Sequence, residues 1–241
     1  VTSVRTAAIW RGLQAELDRR AADGPLRIVD AGGGSGGFAV PLACQGHLVS
    51  VVDPSPNALA TLSRRAADAE VADRITAVQG DAATLAAVVG DEVADIVLCH
   101  SVLEHVDDPA GSVAAIRAVL RKGGLASVVV ANRAAAVLAK AIAGHLDLAA
   151  AALADPDGRF PGGDTALRRY DPAGVVALLT GSGLTVEQVH GVRVLADLLD
   201  GTGQSTDAEH PSDDLLSLEL TLSDRLPYRD FATQLHLLAR R

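Results

Sequence analysis

Between residues 26 and 132, short apolar runs alternate with longer stretches of helical periodicity. The runs LRIVDA (26–31), LVSVVD (48–53), ITAVQG (75–80), ADIVLCH (94–100) and LASVVVAN (125–132) each predict a strand. Helical patterns lie near 36–45, 56–70, 82–89 and 109–121, where Pro109 suits a first turn and Gly123-Gly124 a stop. Strands this apolar, separated by helices, imply a parallel sheet covered on both faces. After Asn132 the rhythm changes. Residues 133–154 read as one helix or a pair, 155–169 as a Gly/Pro/Asp-rich loop and 171–182 as a helix. The strand LTVEQVHGVRV (184–194), an acidic loop with a helix in 196–224 and the strand ATQLHLLARR (232–241) complete the chain.

This pattern predicts an α/β fold: a doubly wound, Rossmann-like sheet, mostly parallel with an antiparallel last strand, and helical insertions in the C-terminal half. A single domain over 1–241 is expected, with a ligand-binding half at 1–132 and a second half, carrying the insertions, at 133–241. In such a sheet, ligands sit at the carboxyl ends of the strands.

Composition narrows the function classes. The chain has 241 residues, 49% of them hydrophobic, which suits a globular domain. The richest apolar stretch, AAAVLAKAIAGHLDLAAAALA, is interrupted by Lys140, His145 and Asp147, and no run reaches the ~18–20 residues of a membrane span. Cys44 and Cys99 lie in apolar segments, as buried thiols of a reducing cytoplasm would; a cytoplasmic protein is expected. The formal charge of −9 and 2% aromatic content exclude generic coating of nucleic acid, leaving recognition of one local RNA feature open. The chain starts at Val1 just ahead of a helical pattern, so an N-terminal segment that closes over a ligand is expected outside it.

The candidate chemistry begins at IVDAGGGSGGFAV (28–40). Gly32, Gly34 and Gly37 spell G-x-G-x-x-G between a strand and a helix, where bare backbone turns tightly and helix amides face an anionic group. No Lys-Ser/Thr pair ends the run, which excludes a P-loop. Asp53 ends the second strand, where a carboxylate takes ribose hydroxyls. In QGDAATL, Asp81 suits an adenine amino group and the Ala82 amide a ring nitrogen; Asp30 completes VDAGGG.

The ordered set VDAGGGSG, VSVVDPSPNAL, VQGDAATL, ADIVLCHSVLEHVDDP and LRKGGLASVVV resembles the motifs of class I S-adenosylmethionine-dependent methyltransferases over residues 26–132. VRTAAIW, AGGG, CHSVLEHVDDP, RYDP and HGVRVLADLL are most similar to the tRNA 5-carboxymethoxyuridine methyltransferases, which esterify the carboxylate of a wobble uridine. The resemblance implies S-adenosyl-L-methionine as cofactor and S-adenosyl-L-homocysteine as product. It implies that Arg5 pairs with the methionine carboxylate, that Gly32, Gly33 and Gly34 line the tail, and that Asp53 holds the ribose. Asp81 with Ala82 then takes the adenine, and His100 sits beside the methionine end.

For the acceptor, Arg193 in HGVRV is the natural partner of a carboxylate, with Tyr170 and Arg169 of LRRYDP as walls. An ionised carboxylate needs no general base, so no catalytic base is nominated. The remaining histidines lack metal-ligand spacing, and no metal is expected. Residues 197–214 carry six acids and no Lys or Arg, and 155–167 offers only Arg159, so a small carboxylate or hydroxyl acceptor competes with tRNA. A protein that holds the cofactor without turnover is the alternative from another class. An NAD-dependent dehydrogenase is the weakest.

Overall fold

A computed structural model describes residues 3–199 and 213–241. Its strands are β1 (Arg27–Ala31), β2 (Leu48–Asp53), β3 (Ile75–Gln79), β4 (Ala94–His100), β5 (Leu120–Ala131), β6 (Thr185–Val192) and β7 (Gln234–Arg240). The helices are α1 (Ala7–Arg19), α2 (Ala39–Cys44), α3 (Pro56–Asp68), α4 (Leu85–Val89), α5 (Pro109–Val119), α6 (Arg133–Ile142), α7 (Leu146–Ala154), α8 (Pro172–Gly181) and α9 (Asp213–Ser223). Each predicted strand and helix is present; most have equal or shorter ends, while β5 starts at Leu120 rather than Leu125.

The seven strands form one sheet in the order β3-β2-β1-β4-β5-β7-β6. β1 runs parallel to β2 and to β4, and β2 to β3. β7 is antiparallel to β5. The Asn132 amide donates to the Thr233 carbonyl at 3.1 Å, and the Arg241 amide to Gly124 at 3.0 Å, so the start of one strand meets the end of the other. This is the expected Rossmann-like sheet with its antiparallel last strand. The order reverses between β1 and β4, the switch point at which doubly wound sheets bind ligands.

One boundary differs from expectation. α5 stops at Val119 and β5 starts at Leu120, so Gly123-Gly124 lie inside the strand rather than ending a helix. The Gly123 amide donates to Arg241 and the Arg241 amide to Gly124. Pairing with the far end of the chain thus overrides the local stop signal.

The chain divides into two compact units, one of Val1–Arg19, Val129–Val176 and Gln188–Leu237, the other of Arg20–Val128, Ala177–Glu187 and Leu238–Arg241. In the second, β4 is buried along its length, and Ile28, Ile96, Leu98 and Leu42 are fully buried. Ser55 and Asp108 cap α3 and α5 by accepting from Ala58 and Gly111 amides, each ahead of a first-turn proline. At the amino end of β4, the Asp95 carboxylate accepts from the Arg27 amide at 2.8 Å and from the Arg20 and Arg121 guanidiniums at 2.9 and 3.0 Å. Burial alone would push this carboxyl up; the Arg27 amide and the two guanidiniums outweigh it and hold it below the usual range.

In the first unit α1 packs on α9. Arg11 joins them by donating to the Leu220 carbonyl, the Ser223 hydroxyl and the Asp224 carboxylate. α6 packs on α7. Asn132, at the end of β5, caps α6 through Oδ1 and donates from Nδ2 to the Asp230 and Ala232 carbonyls. No helix among the described residues is long and apolar enough to cross a membrane.

Asp95→Ala strands the Arg27 amide and removes a carboxylate from Arg20 and Arg121, though Arg20 keeps Asp23. It should cost about 2 kcal/mol, read as a melting midpoint lowered by roughly 4–8 °C. An unchanged midpoint would show that the cluster adds nothing to stability.

Candidate functional site

The carboxyl tips of β1 and β2 hold each other through the glycine turn. Gly34, at φ +55°, donates its amide to Asp53 Oδ2 at 2.9 Å, while the Ser55 amide donates to Oδ1 at 2.8 Å. The Asp53 carboxylate is thereby oriented at the end of its strand, 7% exposed, with lone pairs left for a further donor. Beneath the turn lies Asp30, 3% exposed, so close that a Cβ on Gly33 would fall 2.5 Å from its carboxyl group. Glycine is required there by contact rather than by backbone angle. Burial, reinforced by the charge of Asp53, pushes the Asp30 carboxyl up to about 7. Gly37, third in the sequence motif, has no such constraint: a Cβ there would meet nothing within 4 Å.

At the tip of β3, Asp81 Oδ1 accepts from the Thr84 amide and hydroxyl at 2.8 and 2.9 Å. These bonds hold its carboxyl below the usual range. Asp81 therefore closes its own turn with one oxygen. The adjacent Ala82 is 4% exposed. At the tip of β4, His100 Nε2 lies 2.8 Å from Ser127 Oγ of β5, and Phe38 meets its ring edge-on at 4.6 Å between centroids. Burial pushes this imidazole down to about 3, so it is neutral in the physiological range. Gly32, Gly33, Gly34, Asp53, Asp81, Ala82 and His100 thus all lie in one compact unit, at the ends of β1, β2, β3 and β4. Ser127 and Phe38 were not singled out by the sequence, because a serine inside an apolar strand carries no local signal.

Arg5, Arg169, Tyr170 and Arg193 belong to the other unit. Val4 packs with Ala196 and Leu215 in a small apolar cluster, which sets Arg5 beside Asp197. Arg5 Nη1 donates to Asp197 Oδ1 at 2.8 Å; Arg193 approaches the same carboxylate through Nε at 3.0 Å and Nη2 at 2.7 Å. Arg193 has φ +62°, a left-handed conformation uncommon for a residue with a side chain. The next three amides, of Val194, Leu195 and Ala196, donate to the fully buried Glu219 carboxylate at 2.6, 2.8 and 3.2 Å.

Arg169 is committed to its own loop. It pairs with Asp164 at 2.5 and 3.0 Å, donates to the Gly158 carbonyl and stacks 4.4 Å from the Phe160 centroid. The guanidinium holds the Asp164 carboxyl well below the usual range. Tyr170 bridges to Asn132 beside the end of β5 and is half-buried. Of the six acids in 197–214, Asp200, Asp207 and Glu209 lie outside the described residues. Among the described residues, no group of His, Cys, Asp or Glu could hold a metal ion.

A family profile described as a methyltransferase domain matches residues 29–128. The chain is 31% identical over 241 residues to the tRNA 5-carboxymethoxyuridine methyltransferase of Escherichia coli (strain K12), covering 99% of this chain and 88% of that protein. This chain belongs to the class I S-adenosylmethionine-dependent methyltransferases. The methyltransferase also matches a ubiquinone biosynthesis O-methyltransferase of Methylocella silvestris, 39% identical over 124 residues, covering 49% of this chain and 45% of that one. In fold it resembles an S-adenosylmethionine-dependent methyltransferase from Mesorhizobium loti, with a TM-score of 0.63 at 20% identity and 99% and 100% coverage. The cofactor of this methyltransferase is S-adenosyl-L-methionine. The groups at the strand tips fit a zwitterionic, ribose-bearing cofactor: an oriented carboxylate on β2, a turn packed too closely for side chains on β1 and an uncharged imidazole on β4.

Asp30 gives the fold a defined pH response. The folded carboxyl titrates near 7 and the unfolded one near 3.8, so between those values only the folded chain keeps the proton. Its contribution to stability therefore falls as pH rises through that window and is constant above it. Asp30→Asn should raise ligand-free stability by about 2–4 kcal/mol at pH 8, with the gain vanishing near pH 4. Equal shifts at both pH values, by urea unfolding, would contradict this assignment.

Proposed function

We propose that this methyltransferase esterifies a carboxylate, and that its acceptor is the 5-carboxymethoxy group of a modified uridine in tRNA. The observation that carries this reading is coverage. Similarity to the tRNA enzyme covers 99% of the chain, insertions included, whereas the ubiquinone enzymes match 45% to 69% of it. Arg193 supports it, since a planar guanidinium held at a strand end suits a carboxylate acceptor.

In this reading Asp53 holds the cofactor ribose, and the turn at Gly32, Gly33 and Gly34 lines the amino-acid tail. Asp81 and Ala82 take the adenine, and neutral His100 borders the methionine end without competing for charge. When bound, the cofactor would supply a methyl group activated by its sulfonium for transfer to the acceptor oxygen. The chain's own work is alignment and exclusion of water. Arg193 orients the acceptor carboxylate. Asp164 and Phe160 keep Arg169 in its loop, so Arg169 shapes the wall beside Tyr170 instead of contacting the acceptor directly.

A small carboxylate acceptor is the second reading, favoured by the spending of basic side chains on internal partners. Arg133 donates to the Pro156 carbonyl, Arg169 pairs with Asp164 and Arg193 with Asp197, which reduces the charge offered to phosphates.

Methyl-labelled cofactor supplied with tRNA carrying 5-carboxymethoxyuridine should transfer label that mild alkali releases as methanol, as a methyl ester requires. Label appearing only in a small-metabolite extract, or resisting alkali, overturns the tRNA-ester reading. Asp53→Asn should weaken S-adenosylhomocysteine binding by about tenfold or more in calorimetry. Unchanged affinity removes Asp53 from the ribose site.

A further inference from the structure

The crossover from β3 to β4 leaves part of the sheet uncovered. Its helix, α4, spans only Leu85–Val89, and Val93 leads on into β4. Beneath it, the register sets Arg27 opposite Leu48, Val29 opposite Ser50 and Ser50 opposite Thr76, so these side chains share one face of β1, β2 and β3. A doubly wound sheet is normally covered on both faces. Here Leu48 and Thr76 are exposed and Ser50 is half-buried. A cleft of about 270 Å³ opens on this face, walled by Val89 and Val93. It lies within the compact unit that carries the strand-tip groups, but at the amino ends of β1 and β2, whereas Asp53 and the glycine turn lie at the carboxyl ends.

The groups in the cleft are ordered. Val29, Val89 and Val93 form an apolar wall, and the Ser50 and Thr76 hydroxyls stand beside it on neighbouring strands. Among the described residues neither hydroxyl has a hydrogen-bond partner. Arg27 and Arg74 stand at the exposed rim with Asp73. Neither guanidinium meets a carboxylate among the described residues: Arg74 donates from Nη1 to the Ala43 carbonyl at 3.2 Å, and Arg27 uses only its backbone amide. Asp95, which accepts that amide, is taken up by Arg20 and Arg121. Two cations and one acid therefore line the cleft, a balance opposite in sign to the −9 of the whole chain.

We propose that this cleft is a second ligand site, for a small organic anion with a compact apolar body. The body lies against the valines, its polar edge meets the Ser50 and Thr76 hydroxyls, and Arg27 and Arg74 take the anionic group. The volume equals that of about nine waters in the liquid, which suits a small molecule rather than a peptide. A wholly apolar ligand would strip water from hydroxyls and guanidiniums without replacing it. Inorganic phosphate would leave the apolar wall unused, and an RNA backbone calls for a longer run of cations. The site is separate from the strand tips and does not rest on the acceptor proposed above.

The probe is 8-anilinonaphthalene-1-sulfonate, an apolar ring system with one fixed negative charge whose fluorescence rises on leaving water. Titrated into the full chain, it should bind saturably, with the same curve in the presence and absence of excess S-adenosylhomocysteine. Arg27→Gln combined with Arg74→Gln should weaken it about tenfold, and so should removal of the sulfonate, as in N-phenyl-1-naphthylamine. Ser50→Phe fills the cleft and should abolish the saturable signal; Thr76→Phe, on the exposed edge strand, does the same should Ser50→Phe not fold. Unchanged S-adenosylhomocysteine affinity in calorimetry identifies folded variants. Displacement of the probe by S-adenosylhomocysteine would place it in the cofactor site and overturn the proposal. Absence of saturable binding, equal binding of the uncharged analogue, or full affinity in the folded variants would also overturn it.

Discussion

The hydrogen bond from the Gly34 amide to Asp53 is the constraint on which the strand-tip site depends. It joins the turn after β1 to the end of β2, so neither a loop conformation nor a carboxylate orientation is set alone. Asp30 beneath adds a second condition, because its carboxyl group fills the space where a side chain on Gly33 would stand. Two acids, at the ends of adjacent strands, therefore lie near each other. Burial keeps Asp30 protonated up to about 7, which lets them lie close without full repulsion.

The two compact units use charge differently. At the strand tips of β1 to β4 the groups brought together are backbone amides, one oriented carboxylate and an imidazole made neutral by burial. In the other unit, Arg5 and Arg193 both donate to Asp197. Glu219 is the least conspicuous member of that arrangement. Fully buried, it spends its charge on three consecutive amides, and the conformation of Arg193 follows from it.

The charge of the chain takes on a different sense once partners are known. A net −9 argues against broad phosphate contact. Yet Asp164 and Asp197, two of the acids in the insertions, are matched to arginines within their own unit rather than presented as a repelling face. In the function proposed above, recognition of one modified base would make smaller demands on phosphate contacts than coating a backbone does.

The sequence by itself determined the alternation of strands and helices, the motif order and the residues at the strand tips, because period and spacing are local properties. It also placed Asp53 and the glycine turn at strand ends, where the structure has them. It misjudged Gly123-Gly124, since strand pairing with the chain's end cannot be seen locally. It counted Asp197 as one more acid in an acidic loop and offered no sign of Glu219. Those roles exist only where distant segments meet: Arg5 and Asp197 are 192 residues apart in the chain, and Glu219 reaches back 25 residues to Val194. Tertiary structure decided which charges are spent and which remain, because pairing depends on distances of a few ångströms that spacing along the chain does not encode.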